Sequence, residues 1–382
     1  MELKNYNIAI CNLKHIFAFV MVFLFFIPNA TSSPQMEEEK EASDLDVGKM
    51  IIEHVGNSYE WHIATVKNKH ISIYLPVILI DNDGFHVFSS KKFHHGHDAY
   101  MGYAICQEKG GKRGRIVKVD NAGNIDYEAS FLDISITKNV FSLLFSIVIL
   151  SIILISAGNA YKKRGVVAPK GIARVIEPVV LFVRDDIARS AIGPKYERYL
   201  PYLLTIFFFI LFNNLLGLIP FFPGGANLTG NISVTLVLAV FTFVITNVSG
   251  NRDYWKHIVN TPGVPWWLKF PLPLMPLVEI VGVFSKPIVL MIRLFANITA
   301  GHIICLGFIS LIFILGQTSL AIGYGVSIVS VFFYIFMSVL ELLVAFIQAF
   351  VFTLLSAIYI GMAIEEHHHS NHEAEHSISN VK

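Results

Sequence analysis

The sequence predicts an all-α polytopic membrane protein with about five membrane helices. The last two are long, tilted and paired as an antiparallel hairpin, and a small, partly β extramembrane segment comes first. Three observations carry this prediction. Of 382 residues, 54% are hydrophobic and only 15% charged, which places much of the chain in lipid and excludes a wholly soluble protein. The apolar residues are gathered into runs near 140–158, 200–222, 232–249, 273–311 and 326–362. Lysine and arginine crowd one connection between these runs and are missing from the next, the asymmetry that orients a multi-span chain. The formal net charge of +1 gives no support for nucleic acid as a partner.

Residues 1–33 read as a signal peptide: Lys4 and Lys14 precede the apolar run IFAFVMVFLFFIP, and the small polar residues NATSS follow. An uncleaved first membrane helix is the alternative, against which the run falls short of the roughly 20 residues a span needs. Residues 34–135 form an extracytoplasmic segment. It opens on the acidic linker MEEEKEASD and continues with alternating runs such as HISIYLPVILI, separated by the turn signals DNDG and DNAGN. His94, His95 and His97 lie here in KKFHHGHDAY. No carboxylate or cysteine ligands accompany them at a fixed spacing, so they read as surface residues and no metal site is expected. Cys11, Cys106 and Cys305 form no disulfide framework or CxxC pattern.

The membrane domain spans residues 136–364. The connection after its first run holds Lys162, Lys163, Arg164, Lys170, Arg174, Arg184, Arg189, Lys195 and Arg198, whereas the next loop, FPGGANLTGN, is uncharged. The first connection is therefore expected in the cytoplasm, with the N-terminus outside and the C-terminus inside. Residues 172–190 are amphipathic and predict an interfacial helix. The last two runs exceed the length of a simple span, so they must tilt or bend, and Pro287 offers one place for a kink. Residues 365–382 form a His-rich cytoplasmic tail, a solvated low-complexity terminus in which metal binding would be adventitious.

Within the fourth run stands Arg293, at a cost of about 2.5 to 3.5 kcal/mol on insertion scales. Arginine holds its proton at any working pH, so it is a fixed charge and not a proton carrier. If the last two runs pair as a hairpin turning near Gly316, Gly323 and Gly325, Arg293 comes level with Gln348, and His302 with Glu341. Glu341 and Gln348, two turns apart, share a helix face, and Glu279, Lys286, Arg293 and Asn297 form a polar stripe. His302 lies half a turn out of that stripe and about 13 Å further along. This pattern suggests two half-access routes that do not meet, one ending at His302 and Glu341 and the other at Glu279, separated by Arg293. A carboxylate and an imidazole, with reference pKa values of about 4.3 and 6.5, suit proton transfer. Three alternatives stay open: His302 and Glu341 are a plain interhelical hydrogen bond that glues the hairpin, Asn297 serves packing only, and Lys286 snorkels to headgroups. The sequence has no GxxxxGK[ST] phosphate loop, and neither a catalytic site nor a cofactor is expected.

The segments SKPIVLMIRLFANITAGH and ELLVAFIQAFVFTLLSAIYIGMAIEEH, with NLLGLIP and NISVTLVLA upstream, resemble the a subunit of F-type ATP synthases over roughly residues 138–367. The resemblance implies that Arg293 is the stator arginine opposite the carboxylates of a rotating c ring. It implies that His302 and Glu341 are the polar pair of an outer half-channel, with Asn297 and Gln348 beside them, and that Glu279 belongs to a cytoplasmic half-channel. Many bacterial members carry the carboxylate on the fourth helix and the histidine on the fifth, the reverse of this chain. The implied partners are the c ring, b-type peripheral stalk subunits, the lipid bilayer and translocated H⁺, in the cell inner (plasma) membrane. Two other functions fit the residues alone: a secondary transporter of an anionic substrate, and a membrane scaffold that anchors a peripheral stalk.

Overall fold

The computed structural model describes residues 56–365 apart from 67–68, 83, 97, 107–113, 121–123, 127–128, 165–169, 220–223 and 260–273. The expected signal peptide, His97 and the His-rich tail lie outside the described residues.

The N-terminal part is a small β domain of three antiparallel sheets: β1 (Glu60–Val66) with β2 (Lys69–Tyr74); β4 (Gly84–Ser89), β3 (Pro76–Asp81) and β8 (Leu132–Asp133); and β5 (Tyr103–Ile105), β6 (Ile116–Val119) and β7 (Ile125–Asp126). The predicted turns fall where expected. DNDG closes the β3–β4 hairpin, with Asp81 opposite Gly84, and Gly84 adopts a φ of 127° that a side chain would oppose. DNAGN joins β6 to β7, with the Asp120 amide donating to the Asn124 carbonyl. Val77, Leu79, Phe93 and Tyr103 fill the core with Tyr59 and Ile116. His94 Nδ1 lies 2.5 Å from Asp98 and His95 Nδ1 2.8 Å from Glu60, so each is engaged by its own carboxylate.

At the edge of this core, Asp81 accepts from Lys118 Nζ and from the Tyr103 hydroxyl, both at 2.7 Å. These bonds, that from Lys118 first, pull its carboxyl down to about 2. A carboxyl whose folded value lies below its unfolded one stabilises the fold in full above about pH 4, and that contribution fades as the pH falls toward the folded value. Opening free energies from hydrogen exchange at β3 and β4 amides are expected to hold steady above about pH 4 and to decline below it, with Asp81→Asn removing most of the slope. An unchanged slope in Asp81→Asn would assign the acid sensitivity to other groups.

The rest of the described residues are mainly helical: α1 (Lys138–Arg164), α2 (Ile172–Phe182), α3 (Tyr196–Leu218), α4 (Ile232–Ser249), α5 (Arg252–Val259), α6 (Leu274–Thr318) and α7 (Leu320–Ile364). Between α2 and α3 the chain passes through a π-helical stretch, Val183–Arg189, and a single turn, Ser190–Ile192. Among the described residues, five stretches are long and apolar enough to cross a membrane: residues 138–162, 172–218, 232–249, 276–318 and 321–364. The second of these includes the segment expected to be amphipathic, which buries Val183, Ile187 and Ala188 in the shared helical core.

Both long helices run further than their apolar runs suggested, and only Ser319 separates them. The glycines do not make the turn but let the arms close on each other: a Cβ at Gly323 would sit 2.8 Å from the Gly316 Cα. Pro287 lies inside α6 without ending it. At about 1.5 Å per residue each 45-residue helix is some 67 Å long, against roughly 30 Å of hydrocarbon, so neither can stand upright in a bilayer.

Small residues allow close packing around α7. Ala345, Ala349, Ser356 and Ala357 are fully buried, and polar side chains tie the helices where no hydrophobic force distinguishes protein from lipid. The Tyr202 hydroxyl meets Thr242 at 2.9 Å, and Thr242 meets Ser356 at 3.2 Å, linking α3, α4 and α7. At the far end of α7, a Cβ on Gly361 would come 2.2 Å from the Ala191 carbonyl, so only glycine admits the turn that follows the π-helical stretch.

Candidate functional site

The hairpin aligns α6 and α7 side chains level by level. Phe308 stacks on Phe333 at 5.4 Å, His302 meets Glu341, and Lys286 Nζ lies 5.4 Å from the centre of the Tyr359 ring. The depth matching expected from residue numbers thus holds along most of the hairpin.

His302 and Glu341 form a buried pair. His302 Nδ1 is 3.0 Å from Glu341 Oε1, with side-chain exposures of 17% and 6%. The contact is short but lies off the hydrogen-bond direction, and Oε1 has no aligned donor among the described residues. The distance is within hydrogen-bond range and only the angle fails, so a small rotation of either side chain would complete the bond. Glu341 Oε2 accepts from Cys305 Sγ at 3.4 Å. Gly301 permits the close approach, because a Cβ there would lie 3.1 Å from Oε1. On the other side of the imidazole, Nε2 faces Gly217 near the end of α3, 3.6 Å from where its Cβ would be.

Other polar groups gather on the helices around this pair. Asn214 Nδ2 donates to the Ala345 carbonyl at 3.1 Å, about one turn from Glu341, and Thr299 Oγ1 donates to the Gly230 carbonyl at 3.3 Å. Asn213 Oδ1, Asn214 Oδ1 and Asn227 Nδ2 are buried without a protein partner among the described residues. Buried polar atoms in that state are ordinarily satisfied by water.

Arg293 is placed differently. Leu290, Leu294 and Ile298 turn into the core, while Arg293 and Asn297 are exposed at the surface of the chain among Val289, Ile292 and Ala296. No salt bridge to Arg293 is found among the described residues. Its charge does reach the Tyr359 hydroxyl. Gln348 is buried on the same face of α7 as Glu341, so the structure sets Gln348 inward and Arg293 outward. Toward the start of α6, Glu279 stands near Tyr254 of α5, whose hydroxyl is pushed up by burial and then by the Glu279 charge.

Sequence reasoning missed Cys305, Gly301, Asn213 and Tyr359. Asn213 and Asn214 carried a signal, two adjacent amides inside an apolar run. Cys305 and Gly301 carried none, because a small residue in a membrane helix discloses its neighbour only once the helices are packed.

A model of the ATP synthase A chain family matches residues 140–361. This chain belongs to that family. It is therefore an a subunit of the membrane sector of an F-type ATP synthase, a multi-pass membrane protein that assembles with other subunits of that sector. Among similar proteins, ATP synthase subunit a 2 of Chlorobaculum tepidum is 48% identical over 255 residues, covering 65% of this chain and 69% of the relative. ATP synthase subunit a of Chloroherpeton thalassium is 43% identical over 259 residues, covering 66% and 73%. ATP synthase subunit a of Myxococcus xanthus is 45% identical over 253 residues, covering 64% and 78%. Residues 50–138, ahead of the ATP synthase A chain region, match a second family model, described as a domain of unknown function.

Proposed function

We propose that this chain is the static half of a rotary proton translocator, with two proton half-channels against a rotating c ring and no catalytic site of its own. The observation that carries the reading is the contrast between two placements: Arg293 exposed in an apolar helix face, and the His302–Glu341 pair buried behind it. A permanent cation on a membrane-facing surface is costly unless an anion passes it, and a rotor carboxylate is such an anion.

In this mechanism a proton enters from outside along the waters that Asn213, Asn214 and Asn227 require, and reaches the His302–Glu341 pair. The pair hands the proton to a rotor carboxylate, whose neutral form rides through lipid. Arriving at the other side of Arg293, the carboxylate releases its proton toward Glu279, because the guanidinium favours the charged form. Arg293 also repels protons that would cross directly. Asn297 shares the exposed face of the arginine, Gln348 lies buried on the facing helix, and Glu279 with Tyr254 forms the exit. The β domain lies outside the cell inner (plasma) membrane and the C-terminus in the cytoplasm, where a b-type peripheral stalk holds the chain against rotation.

The test is ATP-driven acidification of inverted vesicles carrying wild-type chain or Arg293→Ala, with co-purification of the rotor ring as the assembly control. Loss of pumping in an assembled complex is expected. Retained pumping would overturn the role of Arg293 and favour a scaffold.

A further inference from the structure

We propose that the N-terminal β domain carries a membrane-docking face, and that the outward side of its β4–β3–β8 sheet lies in the interfacial zone of the nearer leaflet. The inward positions Val77 and Leu79 are fully buried. The outward ones are Ile78 and Ile80 on β3, Phe85 and Val87 on β4, and Leu132 with Ile134 at β8. The register sets Ile80 opposite both Phe85 and Leu132, and Ile78 opposite Val87, so these side chains are neighbours. Phe85 is 66% exposed, Val87 and Leu132 56% and Ile134 51%. An antiparallel sheet with one face in a core ordinarily turns polar residues to water on the other. Here that face holds aliphatic and aromatic side chains with no charge among them, and such a patch marks a partner surface.

The tether to the membrane identifies the partner as lipid. Ile134 is only four residues from Lys138, where the first candidate span begins, a reach of at most about 14 Å. That 25-residue span is about 37 Å long against a hydrocarbon core of about 30 Å, so its first residues stand among headgroups. Nor does the domain hang on a loose linker. The Lys138 amide donates to the Ser58 carbonyl at 2.8 Å. Asn57 Nδ2 donates to Thr137 Oγ1 and its Oδ1 accepts from the Asn139 amide, both at 3.1 Å, while Trp61 packs edge-on against Phe141 at 5.8 Å. These contacts, made by residues 57–61, hold the domain that carries the apolar sheet to the start of the first candidate span, within reach of the zone where amphipathic surfaces bind.

The experiment places a bimane fluorophore on Phe85→Cys, and separately on Val87→Cys, in the full chain reconstituted in nanodiscs, with Lys91→Cys as the exposed control. Two quenchers are compared: lipids spin-labelled near the headgroup, and aqueous iodide. Both sheet positions are expected to lose roughly half their fluorescence to the labelled lipid and to be shielded from iodide, with the control showing the reverse. Iodide quenching without lipid quenching would overturn the proposal in favour of a solvated face. Shielding from both quenchers would overturn it in favour of a protein occupant, such as a second copy of the chain.

Discussion

Arg293→Lys will abolish ATP-driven proton pumping as completely as Arg293→Ala. The residual rate is expected below about one-hundredth of wild type, the scale on which loss of a preorganised electrostatic group acts. Charge count alone predicts the opposite, since lysine keeps a cation at the same place. Two physical differences decide against it. A guanidinium holds its proton in any environment, whereas a lysine in a low-dielectric setting loses its proton readily. At the exposed position of Arg293, among Val289 and Ile292, a neutral amine is the cheaper state until the rotor carboxylate arrives. The guanidinium also presents a planar fork to a carboxylate, and the ammonium does not. Acidification rates in inverted vesicles, normalised to assembled complex, read the effect. A lysine variant pumping at more than half the wild-type rate would show that any cation suffices, and would remove geometry from the role of Arg293.

The second large effect concerns the buried pair. His302→Glu alone sets a second carboxylate about 3 Å from Glu341, where two negative charges cannot coexist and one group keeps its proton. Glu341→His alone leaves two imidazoles and no carboxylate. Each single exchange is expected to cut proton flux by about tenfold or more. The double exchange, His302→Glu with Glu341→His, restores a carboxylate facing an imidazole across the same helix contact and is expected to recover about tenfold over either single change, about a hundredfold above the additive expectation, a coupling of ~2.8 kcal/mol. The contact at 3.0 Å makes that coupling possible. Gly301 limits the recovery, because the Glu341 carboxyl already fills the space beside it and leaves no slack for a differently shaped side chain. Initial pumping rates of the four chains form the cycle. If the losses simply add, the two residues act independently and the outer pair is not a unit.

The separate roles of Arg293 and the pair rest on helix rotation, which ties these predictions together. His302 follows Arg293 by half a turn and two levels, so a helix that shows one to the surface carries the other inside. The observed burial agrees: Leu290, Leu294, Ile298 and Cys305 mark the inner face of α6, with Arg293 and Asn297 outside it. The seven-residue spacing of Glu341 and Gln348 likewise puts both on the inner face of α7. The same spacing grouped Glu279, Lys286 and Arg293 as one stripe, and both Lys286, over the Tyr359 ring, and Arg293, whose charge reaches the Tyr359 hydroxyl, approach the same side chain of α7 while Arg293 itself stays exposed.

By itself the sequence determined the class of the molecule, the number of apolar spans and the level at which His302 meets Glu341 across the hairpin. Those properties follow from composition and from the fixed rise and turn of a helix, which need no knowledge of neighbours. It also announced the β domain through strand alternation and the DNDG and DNAGN turns. Only the tertiary structure decided which groups surround the pair. The thiol of Cys305 at Glu341, the glycine contacts at Gly217, Gly301 and Gly361, and the buried Asn213 Oδ1, Asn214 Oδ1 and Asn227 Nδ2, which find no protein partner among the described residues, all depend on which helices touch and at what distance. Hydrophobic periodicity is blind to that choice in a membrane, where lipid-facing and protein-facing surfaces are equally apolar and packing alone distinguishes them.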